Sequence, residues 1–445
     1  MNKRYLDIFR KVVKLQRKGK LVEGIDDIKL QDMDEDMLKG YLSSAMGQEP
    51  DSNVGLKEIA KKALNEYSEE PILTLAGDCR ECIKNDEECK CMASCPFNAM
   101  ILDRDAGKIK VNTDNCKGCG ECEKACRRGK IIDKIQYLPI VNMINGGFPV
   151  YAAIAPAYIG QFGNDVTYGK LRTAFKMLGF KDLYEVSVFA DIISIREVIE
   201  FDRLVKDTGD FMITSCCCPV WMNLLKRHYK NLLAHVTPSV SPMVAAGRVI
   251  KRIYPEAKVV FVGPCIAKKS EAREEDIKDA IDFVLTFDEL DEILKAAAID
   301  PKKLHGEESE YSSKGGRIYA RTGGVSECIK DTLKSMFPAK AVQLKATQGN
   351  GIRECKQLLD RTVAGEIDVN FLEGMGCIGG CVGGPKAIID KEKGRESVNK
   401  YGDESKYRTP VDSPCVLKIL KSIGINSIEE LEENNEKSHM FLRNL

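Results

Sequence analysis

Nine cysteines crowd the 48 residues from Cys79 to Cys126, and nothing else in the chain limits its folding so strongly. A segment this dense in thiols keeps few apolar side chains for a core, so metal clusters must hold it together. Eighteen cysteines in a small secreted domain would read as disulfides. In a 445-residue chain, most of them at metal-ligand spacings, they read as reduced and largely metal-bound. The start MNKRYLDIFRKVVKLQRKGK is charged and lacks the apolar core of a signal peptide. No run approaches the roughly 20 apolar residues that cross a bilayer. A cytoplasmic protein that does not engage a membrane is the expectation. The 67 basic and 67 acidic residues cancel, which removes the whole-protein field that would gather nucleic acid. Oligomeric state is not readable from the chain.

Length exceeds what one hydrophobic core organises, and 43% hydrophobic residues suffice for a sizeable interior. Residues 1–70 carry apolar side chains at helical spacing (Leu6, Phe9, Val12, Val13, Leu15) and read as a helical N-terminal extension. The thiol-rich segment falls in a second domain, 71–140. Over 146–395, short apolar runs such as VYAAIAP and KVVFVGP end in Gly or Pro and alternate with amphipathic stretches. That pattern predicts a large α/β domain with buried parallel strands. Such sheets place ligands at the carboxyl ends of their strands, and there stand TSCCCPVW and VGPCIAKK. Residues 396–445 are charged and read as a helical appendage.

Within the thiol-rich segment, Cys116-x2-Cys119-x2-Cys122-x3-Cys126 lets one loop wrap three thiolates around a cubane while the fourth reaches elsewhere. The preceding motif is stretched: Cys79-x2-Cys82, the insertion IKNDEE, then Cys89, Cys91 and Cys95-Pro96. The pair resembles a two-cluster ferredoxin. That resemblance implies a crossover, with Cys79, Cys82 and Cys91 joined by Cys126 on one [4Fe-4S] cluster, and Cys116, Cys119 and Cys122 joined by Cys95 on the other. Cys89 is then surplus, and can replace Cys91. A zinc site is disfavoured because four-cysteine zinc sites usually draw on two isolated pairs.

Three further motifs, Thr214-Ser215-Cys216-Cys217-Cys218-Pro219-Val220-Trp221, Gly263-Pro264-Cys265-Ile266-Ala267-Lys268-Lys269 and Glu373-Gly374-Met375-Gly376-Cys377-Ile378-Gly379-Gly380-Cys381, resemble the H-cluster signatures of [FeFe]-hydrogenases. The likeness takes in Ala155-Pro156 and the loops ARTGGVSE and QGNGIRE, and spans roughly residues 75 to 395. It implies a two-lobed hydrogenase domain with parallel or mixed sheets behind a ferredoxin-like domain with two [4Fe-4S] clusters. It also implies an H-cluster: a [4Fe-4S] cubane on Cys218, Cys265, Cys377 and Cys381, bridged through Cys381 to a diiron subsite with CO, CN and azadithiolate ligands. Lys268 would donate to a cyanide, a buried anion that needs a partner. Ala155, Pro156 and Met375 would line the cofactor. Cys217 would be the thiol beside the bridgehead amine. Three consecutive cysteines leave a second frame open, with Cys217 as ligand and Cys216 as the thiol; in the first frame Cys216 is a small buried hydrophobe. Trp221 reads as packing against the site, and the four histidines stand at no metal-ligand spacing.

The same resemblance supplies a proton path from Cys217 through Thr237 to Glu197 and Glu200, two carboxylates on one helix face. The implied activity is reversible oxidation of H2 to protons and electrons, relayed by the two clusters to ferredoxin or another carrier after maturation proteins install the diiron subsite. A slow hydrogen sensor and an iron-sulfur scaffold without that subsite are the rival readings. Three departures from the family pattern, Ala157 for a serine, Met243 for a glutamine and Gly263 for a methionine, predict a looser shell around the subsite and slower turnover.

Overall fold

The computed structural model describes the whole chain except residues 1, 31, 32, 85–88, 104, 106, 216, 308–310, 433 and 434. The insertion after Cys82 therefore lies mostly outside the described residues, and Cys216 lies outside them as well. The chain forms two compact units. One comprises 1–148, 265–270 and 283–300, the other 149–264, 271–282 and 301–445.

In the first unit the helix Lys3–Arg17 starts where the Asn2 side chain accepts from Tyr5 N (3.3 Å), and it ends on Lys14 and Arg17, which suit the negative end of the helix dipole. It buries Tyr5, Ile8, Phe9, Val12 and Val13, a 3–4 spacing that presents one continuous stripe. Leu6 and Leu15, expected in that stripe, flank it half-buried, because Tyr5 and Ile8 take the inward positions. The stripe packs on the helices Glu35–Ala45 and Phe287–Ala296. Leu73–Leu75 pairs antiparallel with Ile131–Asp133, and Met100–Asp103 with Lys108–Val111. Between them lies a small core in which Cys79, Cys91, Cys116 and Cys122 stand beside Leu73, Met100, Ile109, Ile131 and Ile266.

The second unit has the expected α/β architecture. Val150–Ile154 runs parallel between Asp182–Glu185 and Lys258–Gly263, so the runs VYAAIAP and KVVFVGP are neighbouring strands. A second parallel sheet centres on Phe371–Met375, flanked by Ala346–Asn350 and Met212–Ile213. Both central strands end at a chemical motif, at Ala155-Pro156 and at Gly376-Cys377. Trp221 lies flat against the second: a Cβ at Gly374 would stand 2.1 Å from its ring, so only glycine fits there. The helix Ser187–Leu204 is buried on nearly every face, charged residues included.

Residue 396 falls inside a helix, Lys391–Asp403. Beyond it the tail is less helical than its charge pattern predicts. Pro414–Ser422 is its one further α-helix among the described residues; Pro410 and Pro414 break the chain into short segments, and the rest is 3-10 turns. Leu442 makes an antiparallel bridge with Ser239, and Arg443 N donates to Pro238 O (2.8 Å), so the tail closes over the loop that carries Thr237. No described helix is long and apolar enough to cross a membrane.

Candidate functional site

In the first unit the thiols fall into two groups by mutual influence. Burial, then Cys82 and Cys126, push Cys79 up to about 11; burial, then Cys126, Cys89 and Cys79, push Cys91 up to about 12. Burial and the neighbouring Cys95 raise Cys116 to about 11, and with Cys116 also raise Cys119 to about 12; Cys122 is raised further beside Cys119, Cys116 and Cys95. Cys79, Cys82, Cys89, Cys91 and Cys126 make up the first neighbourhood, and Cys95, Cys116, Cys119 and Cys122 the second. Cys91 is buried, whereas Cys89 is half-exposed at the start of the helix Lys90–Ala93. Among the described residues no three His, Cys, Asp or Glu side chains close on a single-ion site. The grouping rests on electrostatic neighbourhood and on chemistry: four soft thiolates suit an iron-sulfur cluster.

Lys268 and Lys269 follow Cys265 in this unit, both buried. The Lys269 ammonium donates to Asp133 Oδ2 (2.6 Å), Glu289 Oε1 (2.6 Å) and Lys134 O (2.8 Å), which fixes the turn after Cys265 to the strand Ile131–Asp133. Motif reading missed this residue, since its partners lie far away in sequence.

In the second unit three loops meet at the glycine-rich turn of the third motif. Asn350 Oδ1 accepts from Gly379 N (2.7 Å) and Thr322 Oγ1 (2.9 Å), and Val382 N donates to Ala320 O (3.1 Å). Buried Glu373 accepts from Gly323 N (2.8 Å), Ser326 N (2.8 Å) and Ser326 Oγ (2.7 Å), holding ARTGGVSE in place. Lys386 N donates to Pro264 O (3.1 Å), which brings the turn after Cys381 to the residue before Cys265. Cys218 Sγ accepts from Gly376 N (3.3 Å), and the Cys217 thiol lies 3.8 Å from Met375 Sδ. Cys218, Cys377 and Cys381 stay partly open while Val220, Trp221, Met375 and Val382 around them are buried. Half-open thiols among closed apolar walls, one already accepting an N–H, fit a bound cluster.

Behind the Cys217 motif runs a buried hydroxyl-carboxyl chain. Ser215 N donates to Thr237 Oγ1 (3.2 Å), the two hydroxyls lie 3.0 Å apart, and Thr237 Oγ1 donates to Glu197 Oε1 (2.6 Å). Burial pushes Glu197 up to about 7, against the Thr237 and Thr214 hydroxyls, which lower it. One turn on, Glu200 accepts from Arg203 (2.7 and 3.0 Å) and Arg196 (3.5 Å); Arg203 is 55% exposed and leads outward. Ser215 stood unassigned inside its motif; its pairing with Thr237 depends on a loop 22 residues away.

A folded-state pKa above the unfolded value means that Glu197 weakens the fold as pH rises from about 4.5 to about 7, and the loss is complete above that window. Glu197→Gln removes the titration. Relative to the parent, the variant should gain about 3 kcal/mol between roughly pH 4.5 and pH 7.5 in denaturant unfolding. Parallel stability curves would show that Glu197 is not the buried acid described.

The iron-only hydrogenase large subunit, C-terminal domain, matches residues 148–385. Iron hydrogenase 1 of Clostridium pasteurianum is 31% identical over 306 residues, 57% of this chain and 53% of its own length, so the chain spans about half of that relative. Protein NAR1 of Arabidopsis thaliana is 22% identical over 355 residues, covering 64% of this chain and 74% of that protein. A variant of the [FeFe]-hydrogenase HydA1 from Chlamydomonas reinhardtii shares the fold at a TM-score of 0.55 and 21% identity, covering 66% of this chain and 93% of that one. With more than half its length matched, and the cysteine motifs at the ends of its parallel strands, this chain belongs to the iron-only hydrogenase large-subunit family.

Proposed function

We propose that this protein interconverts H2 with protons and electrons at an H-cluster held by Cys218, Cys265, Cys377 and Cys381. The observation that supports this best is the buried chain Ser215–Thr237–Glu197 behind the Cys217 motif, since a cluster scaffold needs no proton path. When bound, the H-cluster supplies heterolytic cleavage of hydrogen and takes up the electron pair. Cys217 Sγ holds the proton beside Met375, and Thr237 Oγ1 passes a proton to Glu197 Oε1. Glu200, clamped by two arginines, hands it to the surface side. Lys268 serves a cyanide, Ala155 and Pro156 close the pocket wall, and the thiol groups of 79–126 hold two [4Fe-4S] clusters that carry electrons to a ferredoxin or similar carrier.

The test is anaerobic reconstitution followed by loading with a synthetic diiron complex that carries CO, cyanide and a bridgehead amine. Infrared bands displaced from those of the free complex, with H2-dependent reduction of a viologen dye, are expected. Displaced bands without dye reduction would favour a hydrogen sensor. No uptake would favour a scaffold, the reading to which the NAR1 similarity lends support.

A further inference from the structure

Gly263 stands where the family pattern has a large side chain, yet the space is not left open. A Cβ built at Gly263 would lie 2.7 and 2.9 Å from Cε1 and Cζ of Phe261, and 3.4 Å from the Ala155 Cβ. Phe261 precedes Gly263 by two residues on the strand Lys258–Gly263, so both face one side of the sheet, where Phe261 pairs with Ala153. Ala155 N donates to Val262 O (2.8 Å), which carries this pairing past the end of its strand. At the carboxyl edge of the sheet, beside Ala155-Pro156 and just before Pro264-Cys265, a ring that is 3% exposed thus lies over Gly263, with Ala155 next to the same glycine. The backbone of Gly263 is not left-handed, so no torsion calls for glycine there. The ring does.

We propose that Phe261, folded over Gly263 beside Ala155, is the wall that sets the room around the diiron subsite and governs entry of small diatomic ligands such as carbon monoxide. The assignment rests on the hydrogenase reading above. At Gly263 the shell is not looser, as the sequence alone implied: the ring from two residues upstream fills the space, and with a flat, stiff surface where a thioether would be flexible.

The test is a double-mutant cycle on the full chain with Phe261→Ala, Gly263→Met and both together, read twice. In thermal melts of the cofactor-free protein, Gly263→Met alone should melt lower by displacing the ring. The double variant should melt above the sum of the two single losses, the non-additivity expected of touching side chains. In the loaded protein, carbon monoxide should bind about tenfold faster in Phe261→Ala, a size typical of changes around a metal site, and return toward the parent rate in the double variant. Phe261→Leu, which keeps the volume nearly filled, covers the case in which Phe261→Ala fails to fold, and should fall between. Additive melting losses with unchanged carbon monoxide kinetics would overturn the proposal. A parent that loads normally but whose kinetics ignore Phe261 removes the wall role alone. A parent that takes up no diiron complex removes the hydrogenase reading and the wall role with it.

Discussion

Lys269→Met should cost the fold about 3–5 kcal/mol, the usual size of breaking a buried ion pair from one side. The ammonium is 1% exposed and makes three hydrogen bonds of 2.6–2.8 Å. Without it, Asp133 and Glu289 face each other in the core with no cation between them. Burial already holds Glu289 above the usual carboxylate range while Lys269 lowers it, so the variant's Glu289 should take up a proton more readily still. The loss should therefore be largest above about pH 7 and shrink as pH falls through that value, below which Glu289 is neutral in parent and variant alike. Lys269→Met combined with Glu289→Gln should recover part of the stability, whereas Lys269→Arg should not restore the parent, because a planar fork does not replace a compact ammonium in a closed site. Urea unfolding of the cofactor-free chain measures all of this. A Lys269→Met chain within about 1 kcal/mol of the parent would mean that the three bonds carry no weight.

Cys218→Ala and Cys217→Ala should separate cleanly although the residues are adjacent. Cys218 Sγ already accepts an N–H from the residue before Cys377, as a cluster ligand would, so its loss should empty one four-iron site and abolish turnover. Cys217 approaches Met375 instead, and if it is the proton carrier proposed above, its removal should leave the iron content unchanged while slowing turnover about 10²–10⁴-fold, the range for a positioned acid-base group. Iron content, electron paramagnetic resonance and hydrogen uptake distinguish the two. The opposite pattern would mean that Cys217 is the ligand and Cys216 the thiol.

What the sequence revealed and what it hid follow from distance along the chain. Cysteine spacings are local, so the run from Cys116 to Cys126 suggests a cluster by itself, and the apolar runs that end in Gly or Pro marked two neighbouring parallel strands. The helix Lys3–Arg17 was legible from its period, with only the rim of the stripe misplaced. Lys269 was not, because Asp133 lies 136 residues away and a lone lysine reads as surface. Glu197 and Glu200, taken alone, look like an exposed helical pair. They are buried because their helix is enclosed, with the tail supplying Leu431 O to Arg196 (2.9 Å). Asn350 reads as one polar residue between two glycines until Thr322 and Gly379 arrive from other loops to share its oxygen. Phe261 looked like an ordinary strand residue, since nothing local says that its ring lies over Gly263.

The exchange of thiols between the two groups of the 79–126 segment bears on how the protein is made. On the ligand sets proposed above, each cluster would draw three thiols from one stretch of chain and a fourth from the other, so neither could close while its counterpart is still unfolded. The outer end is tied as well, for Gly129 O, three residues beyond Cys126, accepts from both Asn2 Nδ2 (2.9 Å) and the Tyr41 hydroxyl (2.8 Å) of the N-terminal helices. Iron delivery to this region should therefore be all-or-none: a half-loaded molecule has an open chain end at both sites, and an early break in the leading helices would reach the clusters as surely as the loss of a cysteine.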